Sequence, residues 1–210
     1  NRLVLTAGLA WREVALLRAY ARYLKQIRMG FDLGYIASAL LNHTDIAREL
    51  VRLFKMRFYL ARKLGDEDLA DKQQRLEQAI LTALDEVAVL NEDRILRRYL
   101  ALIQATLRTN YYRGGGARPT VRSGGVPYIS LKFDAQKVEG GEASRLRYEV
   151  WVRSSRMEGI HLRGAKVARG GIRWSDRNDD FRTEVLGLVK TQMVKNAVIV
   201  PAGSKGGFVT

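Results

Sequence analysis

The sequence has 210 residues, 47% hydrophobic and 28% charged, with three prolines, no cysteine and a formal net charge of +14. This is globular usage for one large or two small domains; it excludes a disordered or fibrous chain, disulfides, thiol nucleophiles and cysteine metal sites, and with only two histidines no metal site is expected. No apolar run approaches the ~18 residues that span a bilayer and no charged-then-apolar leader opens the chain, so no membrane partner is expected, and the lack of cysteine favours a reducing, cytoplasmic location.

Residues 1–112 contain no proline and four glycines. Val14, Leu17, Tyr20, Ala21 and Leu24 recur at helical spacing, which predicts a helix over about 10–28 with Gly30 at its stop. A short helix near 33–41 follows, and Thr44 or His43 opens another over about 45–63, ended by Gly65. Asp66-Glu67-Asp68 places negative charge at the next helix start. Leu69, Leu76, Ile80, Leu81, Leu84, Val87 and Leu90 then give a long amphipathic helix. Asn91-Glu92-Asp93 reads as a fresh N-cap, with Leu96, Tyr99, Leu100, Ile103 and Leu107 carrying a further helix to about 109. An all-helical domain over 1–112 is the result.

Residues 113–127, with Gly114-Gly115-Gly116, Pro119 and Gly124-Gly125-Val126-Pro127, read as a solvated linker. From Tyr128 the period becomes two. Strands are expected at 128–133, 146–152, 159–163 and 170–174, with Gln136–Ser144 as a hairpin loop. Asp179 or Asp180 caps a helix of about 180–197, and a short strand at 198–200 precedes Pro201. The fold class is therefore α followed by α/β, with 128–210 as the start of an α/β domain. The chain begins with Asn1 and ends on what reads as an opening strand, so it is expected to be a piece of a longer protein.

The positive charge is uneven. Residues 1–112 hold 18 Lys+Arg against 13 Asp+Glu, and residues 113–210 hold 18 against 9. Such a balance suits nucleic acid, an acidic membrane, small anions or an acidic partner surface. The chemistry concentrates in 168–208. Two glycine pairs, Gly170-Gly171 and Gly206-Gly207, flank one helix, and each lies near a basic residue, Arg169 or Lys205. Paired glycines let backbone approach a ligand closely. The helix between them is apolar nearly all round, which predicts burial, yet it carries Lys190, Gln192 and Lys195. Gln192 and Lys195 are three apart and share a face. Together Arg169, Lys195 and Lys205 can make a cationic pocket for a small dicarboxylate or a phosphorylated metabolite. Lys205, set in a tight turn between glycines, is the best candidate for proton chemistry. His161 reads as a strand residue and His43 as a helix-entry residue. There is no GxGxxG dinucleotide fingerprint, and Gly203-Ser204-Lys205-Gly206 is not a P-loop.

The stretch Ala168–Arg177, the run Phe181-Arg182-Thr183-Glu184-Val185-Leu186-Gly187-Leu188-Val189-Lys190 and the segment Asn196–Phe208 resemble the glutamate dehydrogenase superfamily. With Glu158–Gly164, much of 126–210 is most similar to its large bacterial NAD-dependent members. The helical half resembles the helical segment that leads into their catalytic domain. The resemblance implies oxidative deamination of L-glutamate to 2-oxoglutarate and ammonia, with NAD as cofactor and a homo-oligomeric enzyme. It also implies roles. Arg169-Gly170-Gly171-Ile172-Arg173 occupies the place of a Lys-Gly-Gly-hydrophobic-Arg motif whose cation holds the distal carboxylate. Arginine keeps that charge and offers a bidentate fork. Gln192 and Lys195 match the pair that holds the α-carboxylate, and Lys205 matches the catalytic lysine. The family's catalytic aspartate and dinucleotide-binding domain lie further along than this chain, which implies that no cofactor-binding residue is present and that the chain alone is inactive. The alternatives are a basic nucleic-acid-binding module, which lacks any named motif here, and a helical scaffolding module.

Overall fold

The computed structural model describes residues 2–58, 66–113, 128–138, 146–195 and 202–210. The linker expected over 113–127 lies almost entirely outside them, as do the helix end at Gly65, most of the hairpin loop before Ser144, and the strand expected at 198–200. Contacts divide the chain into two units. The first comprises Asn1–Arg22 and Phe31–Ile103, the second Tyr23–Gly30 and Gln104–Thr210.

The first unit is helical. Its elements are α1 (Arg2–Thr6), the first part of α2 (Trp11–Gln26), α3 (Leu33–Asn42), α4 (Thr44–Phe58), α5 (Asp66–Asp85) and α6 (Leu90–Ala105). The expected helical faces form its core. Leu16, Leu17, Tyr20, Ile36, Leu50, Phe54, Leu96 and Tyr99 are fully buried. Tyr20 meets Phe54 and Tyr99 edge-on at 6.4 and 6.3 Å, a favoured aromatic geometry, and the buried Tyr99 hydroxyl donates to the Leu17 carbonyl at 3.1 Å. Asp32 caps α3 by accepting the Tyr35 N–H at 2.9 Å. His43 closes α3 and hydrogen-bonds Glu92.

Three details differ from the sequence expectation. The five-residue α1 buries only Leu3 and has too few turns to show a period. Helix α5 stops at Asp85, leaving Val89 and Leu90 largely exposed, and α6 begins at Leu90, so Asn91 lies inside its first turn. The helix expected to reach 109 stops at Ala105, because Thr106–Thr109 forms strand β1 against β2 (Tyr128–Asp134) through a bulge between Thr106 and Arg108. Asn110 fixes this pairing: its side chain accepts the Ser130 N–H at 2.7 Å and donates to the Tyr128 carbonyl at 3.0 Å.

The second unit is a six-stranded sheet in the order β1-β2-β3-β4-β6-β5. Strands β3 (Tyr148–Ser154), β4 (Glu158–Arg163), β5 (Ile172–Trp174) and β6 (Ser204–Val209) complete it, with α7 (Phe181–Lys195) between β5 and β6. β1 to β4 form an antiparallel meander, β6 is antiparallel to β4, and β5 is parallel to β6. A helix linking two parallel neighbours is a βαβ crossover. Helix α7 covers one sheet face. Phe181, Val185 and Val189 are fully buried there, and Trp151 and Leu162 lie buried on the same sheet face. Tyr23, from the last turn of α2, stacks on Phe133 at 4.5 Å, and Trp151 stacks on Phe181 at 6.0 Å. The expectation of an all-round buried helix is corrected: Gly187, Lys190 and Thr191 are exposed on its other side. Among the described residues no helix is long and apolar enough to cross a membrane.

Candidate functional site

The two glycine-flanked segments of the sequence become neighbouring strands. Arg169 forms an isolated parallel bridge with Gly203, and β5 continues in the same register, Ile172 opposite Gly206 and Trp174 opposite Phe208. The Arg169 carbonyl accepts the Ser204 N–H at 3.2 Å and the Gly171 carbonyl accepts the Gly206 N–H at 3.0 Å. Gly170 is the point of closest approach: a Cβ there would lie 1.5 Å from the Ser204 carbonyl oxygen. The adjacent Gly171 has open space where its Cβ would stand. The pair that sequence treats alike is thus asymmetric.

Lys205 is the second residue of β6, which corrects the expectation of a turn. Strand pairing with β4 overrides the low strand propensity of the glycines that follow it. Its register partner is Leu162. Directly opposed residues share a face, so Lys205 stands on the face that α7 covers. Gly207, two residues on and on the same face, packs under α7, where a Cβ would fall 2.5 Å from Val185 Cγ2, whereas Gly206 faces the other way, where a Cβ would fall 2.9 Å from Ile172 Cγ1 and 3.3 Å from His161.

Gln192 projects from α7 onto the same place. Its amide nitrogen donates to the Arg169 carbonyl at 3.1 Å, and its side chain packs so closely on Gly203 that a Cβ there would come within 2.9 Å of Oε1. Gln192 Oε1 is buried and has no hydrogen-bond partner. One of the two amide hydrogens remains for a ligand. Lys195 occupies the last position of α7, and its side chain lies outside the described residues. The structure therefore brings Arg169, Gly170, Gly171, Gln192 and the Lys205 strand together at one end of the β5–α7–β6 unit. Arg169 itself is exposed. His161, next to Leu162, faces the opposite side of the sheet. Burial, and then the charge of Arg163, holds its imidazole below the usual range.

Sequence reading passed over the residues that hold α7 in place. Glu149 is wholly buried, and both its oxygens are used: Tyr23 donates its hydroxyl to Oε2 at 2.6 Å and Arg182 donates through Nε at 3.0 Å, with a second bond from Nη2 to Oε1. Burial alone would pull the Arg182 guanidinium down, but Glu149 and then Tyr23 outweigh it and its pKa rises. Burial, with the charge of Glu149 beside it, pushes the Tyr23 hydroxyl well above its usual value. A second tie is polar: Glu184 accepts the Ser175 hydroxyl at 2.6 Å and pairs with Arg173 at 3.4 Å, joining α7 to β5. The available signal was Glu149 itself, an acid two residues from Trp151 and so on the same, inward strand face.

A family profile described as "Bacterial NAD-glutamate dehydrogenase, catalytic domain" matches residues 79–210, and one described as "Glutamate dehydrogenase, helical motif 3" matches residues 1–60. Among curated proteins, the chain is 71% identical over 209 residues to a protein named NAD-specific glutamate dehydrogenase from Pseudomonas aeruginosa. It is 57% identical to one of the same name from Halomonas elongata and 49% identical to one from Mycobacterium tuberculosis. All of this chain is covered in each case, but only 13%, 12% and 12% of the relatives.

Proposed function

Since this chain belongs to the bacterial NAD-glutamate dehydrogenase family, we propose that it forms part of an NAD-dependent enzyme that oxidatively deaminates L-glutamate to 2-oxoglutarate and ammonia, and that it contributes one wall of the substrate site. The observation that carries this reading is the parallel register of Arg169–Trp174 with Gly203–Phe208, because it sets two basic motifs side by side under α7.

In this reading the Arg169 guanidinium grips the distal carboxylate of the substrate, for which a planar fork is suited. The free amide hydrogen of Gln192 and the ammonium of Lys195 hold the α-carboxylate. Lys205 acts at the α-carbon, polarising the carbonyl or imine and passing a proton to or from the attacking water. Gly170 and Gly171 let these groups converge without side chains between them. NAD would accept the hydride. The sequence contains no dinucleotide fingerprint, and in this reading the chain's own task is to aim the substrate α-carbon. The enzyme is proposed to be a cytoplasmic homo-oligomer.

Substrate preference tests the reading. In the full-length enzyme, Arg169→Ala should cut the preference in kcat/KM for L-glutamate over L-norvaline, which lacks the distal carboxylate, by about tenfold to a hundredfold, the worth of a charge-assisted hydrogen-bonded contact. An unchanged preference would remove Arg169 from the site.

A further inference from the structure

The sheet face away from α7 carries a second concentration of charge, distinct from the residues around Gly170. Tyr148 pairs in register with Asp134 on β2 and with Arg163 on β4, so all three point to this face. Lys132, two residues before Asp134, points the same way. Tyr148 is wrapped by cations. Lys132 Nζ stands 4.0 Å from its ring centroid and the Arg147 guanidinium carbon 5.5 Å, and Arg147 Nε donates to the phenol oxygen at 3.2 Å. That hydrogen bond, with the charges of Arg147, Lys132 and Lys166, holds the phenol below its usual range. Arg163 ties Lys166 to the group by donating from Nη2 to the Lys166 carbonyl at 2.7 Å. Its Nε is buried with no hydrogen-bond partner.

Other arginines of this unit have carboxylates: Arg153 with Glu158, Arg173 with Glu184, Arg177 with Asp180, Arg182 with Glu149. Among the described residues, none of Lys132, Arg147, Arg163 and Lys166 has an ion pair. Asp134 is the carboxylate across from Tyr148, and one of its oxygens already accepts the Gln136 N–H at 3.1 Å. Lys132, Arg147 and Lys166 act on one phenol and Arg163 adjoins Lys166, and like charges so grouped repel one another unless an anion joins them. Lys132 stands on β2, Arg147 immediately before β3, Arg163 at the end of β4 and Lys166 just beyond it, so the backbones that carry these cations span about 10 Å across the sheet. That exceeds the reach of one phosphate or one carboxylate and suits a row of linked phosphates.

We propose that Lys132, Arg147, Arg163 and Lys166 form a binding site for a compact polyphosphate, either free or as the tail of a nucleotide. The site stands independently of the dehydrogenase reading. Calorimetric titration of the full-length protein with inorganic tripolyphosphate tests it. The expected result is saturable binding that weakens about tenfold or more in the double variant Lys132→Gln/Arg147→Gln. It should be unchanged in Arg156→Gln, whose side chain is exposed at the β3–β4 turn. Lys166→Gln, at an exposed position, should weaken binding in the same direction and serves where circular dichroism shows the double variant unfolded. A nucleoside triphosphate that binds more tightly than tripolyphosphate identifies a nucleotide tail; equal affinity identifies the free anion. No binding by the parent protein, or variants that bind tripolyphosphate as tightly as the parent, would overturn the proposal. So would preferential binding of single-stranded or duplex nucleic acid with a steep salt dependence, which would make the cluster a nucleic-acid surface.

Discussion

A single methyl group at position 170 would separate the two strands on which the proposed site is built. With a Cβ 1.5 Å from the Ser204 carbonyl oxygen, Gly170→Ala must move backbone, whereas Gly171→Ala meets nothing. Misplacing reacting groups by about 1 Å costs on the order of a hundredfold in rate. Steady-state kinetics of the full-length enzyme should therefore show kcat/KM lower by about 10² in Gly170→Ala and within about threefold of the parent in Gly171→Ala. Equal activities would mean that the close approach does not position the site. Sequence alone marks both glycines; only the Arg169–Gly203 register tells them apart. The same holds for Lys205, legible as a lysine among glycines but not as a strand residue. A pH effect belongs to this scale too. His161 has its pKa depressed by burial and then by Arg163, so below the usual 6.5 the unfolded chain binds more protons than the folded one. Its contribution to stability is present above pH 6.5 and is lost as pH falls below it. His161→Gln should flatten the decline of the urea midpoint between about pH 7 and pH 5; an unchanged decline would assign it to other groups.

Helix α7 owes its position to a buried network as much as to its apolar side. Arg182 and Glu149 are 8% and 0% exposed, and Tyr23 supplies a third hydrogen bond to the carboxylate. Gln26 adds a second clasp, accepting the Arg182 N–H at 3.2 Å and donating to the Asn178 carbonyl at 3.0 Å. Arg182→Met leaves Glu149 buried without its cation, which should cost about 3–5 kcal/mol of stability by chemical denaturation. Glu149→Leu with Arg182→Met should recover part of that loss, because an apolar pair avoids the desolvation penalty. A loss under about 1 kcal/mol in the single variant would match an exposed pair and refute burial as the cause. Periodicity found α2, α3, α4 and α7 and the strands β2, β3 and β4 because each buries one face locally, whereas the three residues of β5 are all exposed. It could not find a network whose members lie 33 and 126 residues apart. It also ran α6 through Leu107, a residue 42% exposed at the bulge, where pairing of Thr106 with Phe133 and Thr109 with Leu131 takes the chain into the sheet.

On the scale of the whole molecule, the charge asymmetry read from composition resolves into two places in the second unit. One is the β5–α7–β6 end, where Arg169 and Lys205 stand; the other is the Tyr148 cluster on the opposite face. The family was legible in the motifs around both glycine pairs because close backbone approach constrains residue type strongly. The roles of individual cations were not, since charge and exposure do not distinguish a group that binds substrate from one that acts on it. That distinction is the central claim, and kinetics of two lysine variants in the full-length enzyme test it most directly. Lys205→Ala should lower kcat by about 10²–10⁴, as loss of a general acid–base group does, while Lys195→Ala should mainly raise KM, as loss of uniform binding does. A Lys205→Ala enzyme that keeps a near-parental kcat would contradict the account and leave Lys205 as a charge that only steers or holds the substrate.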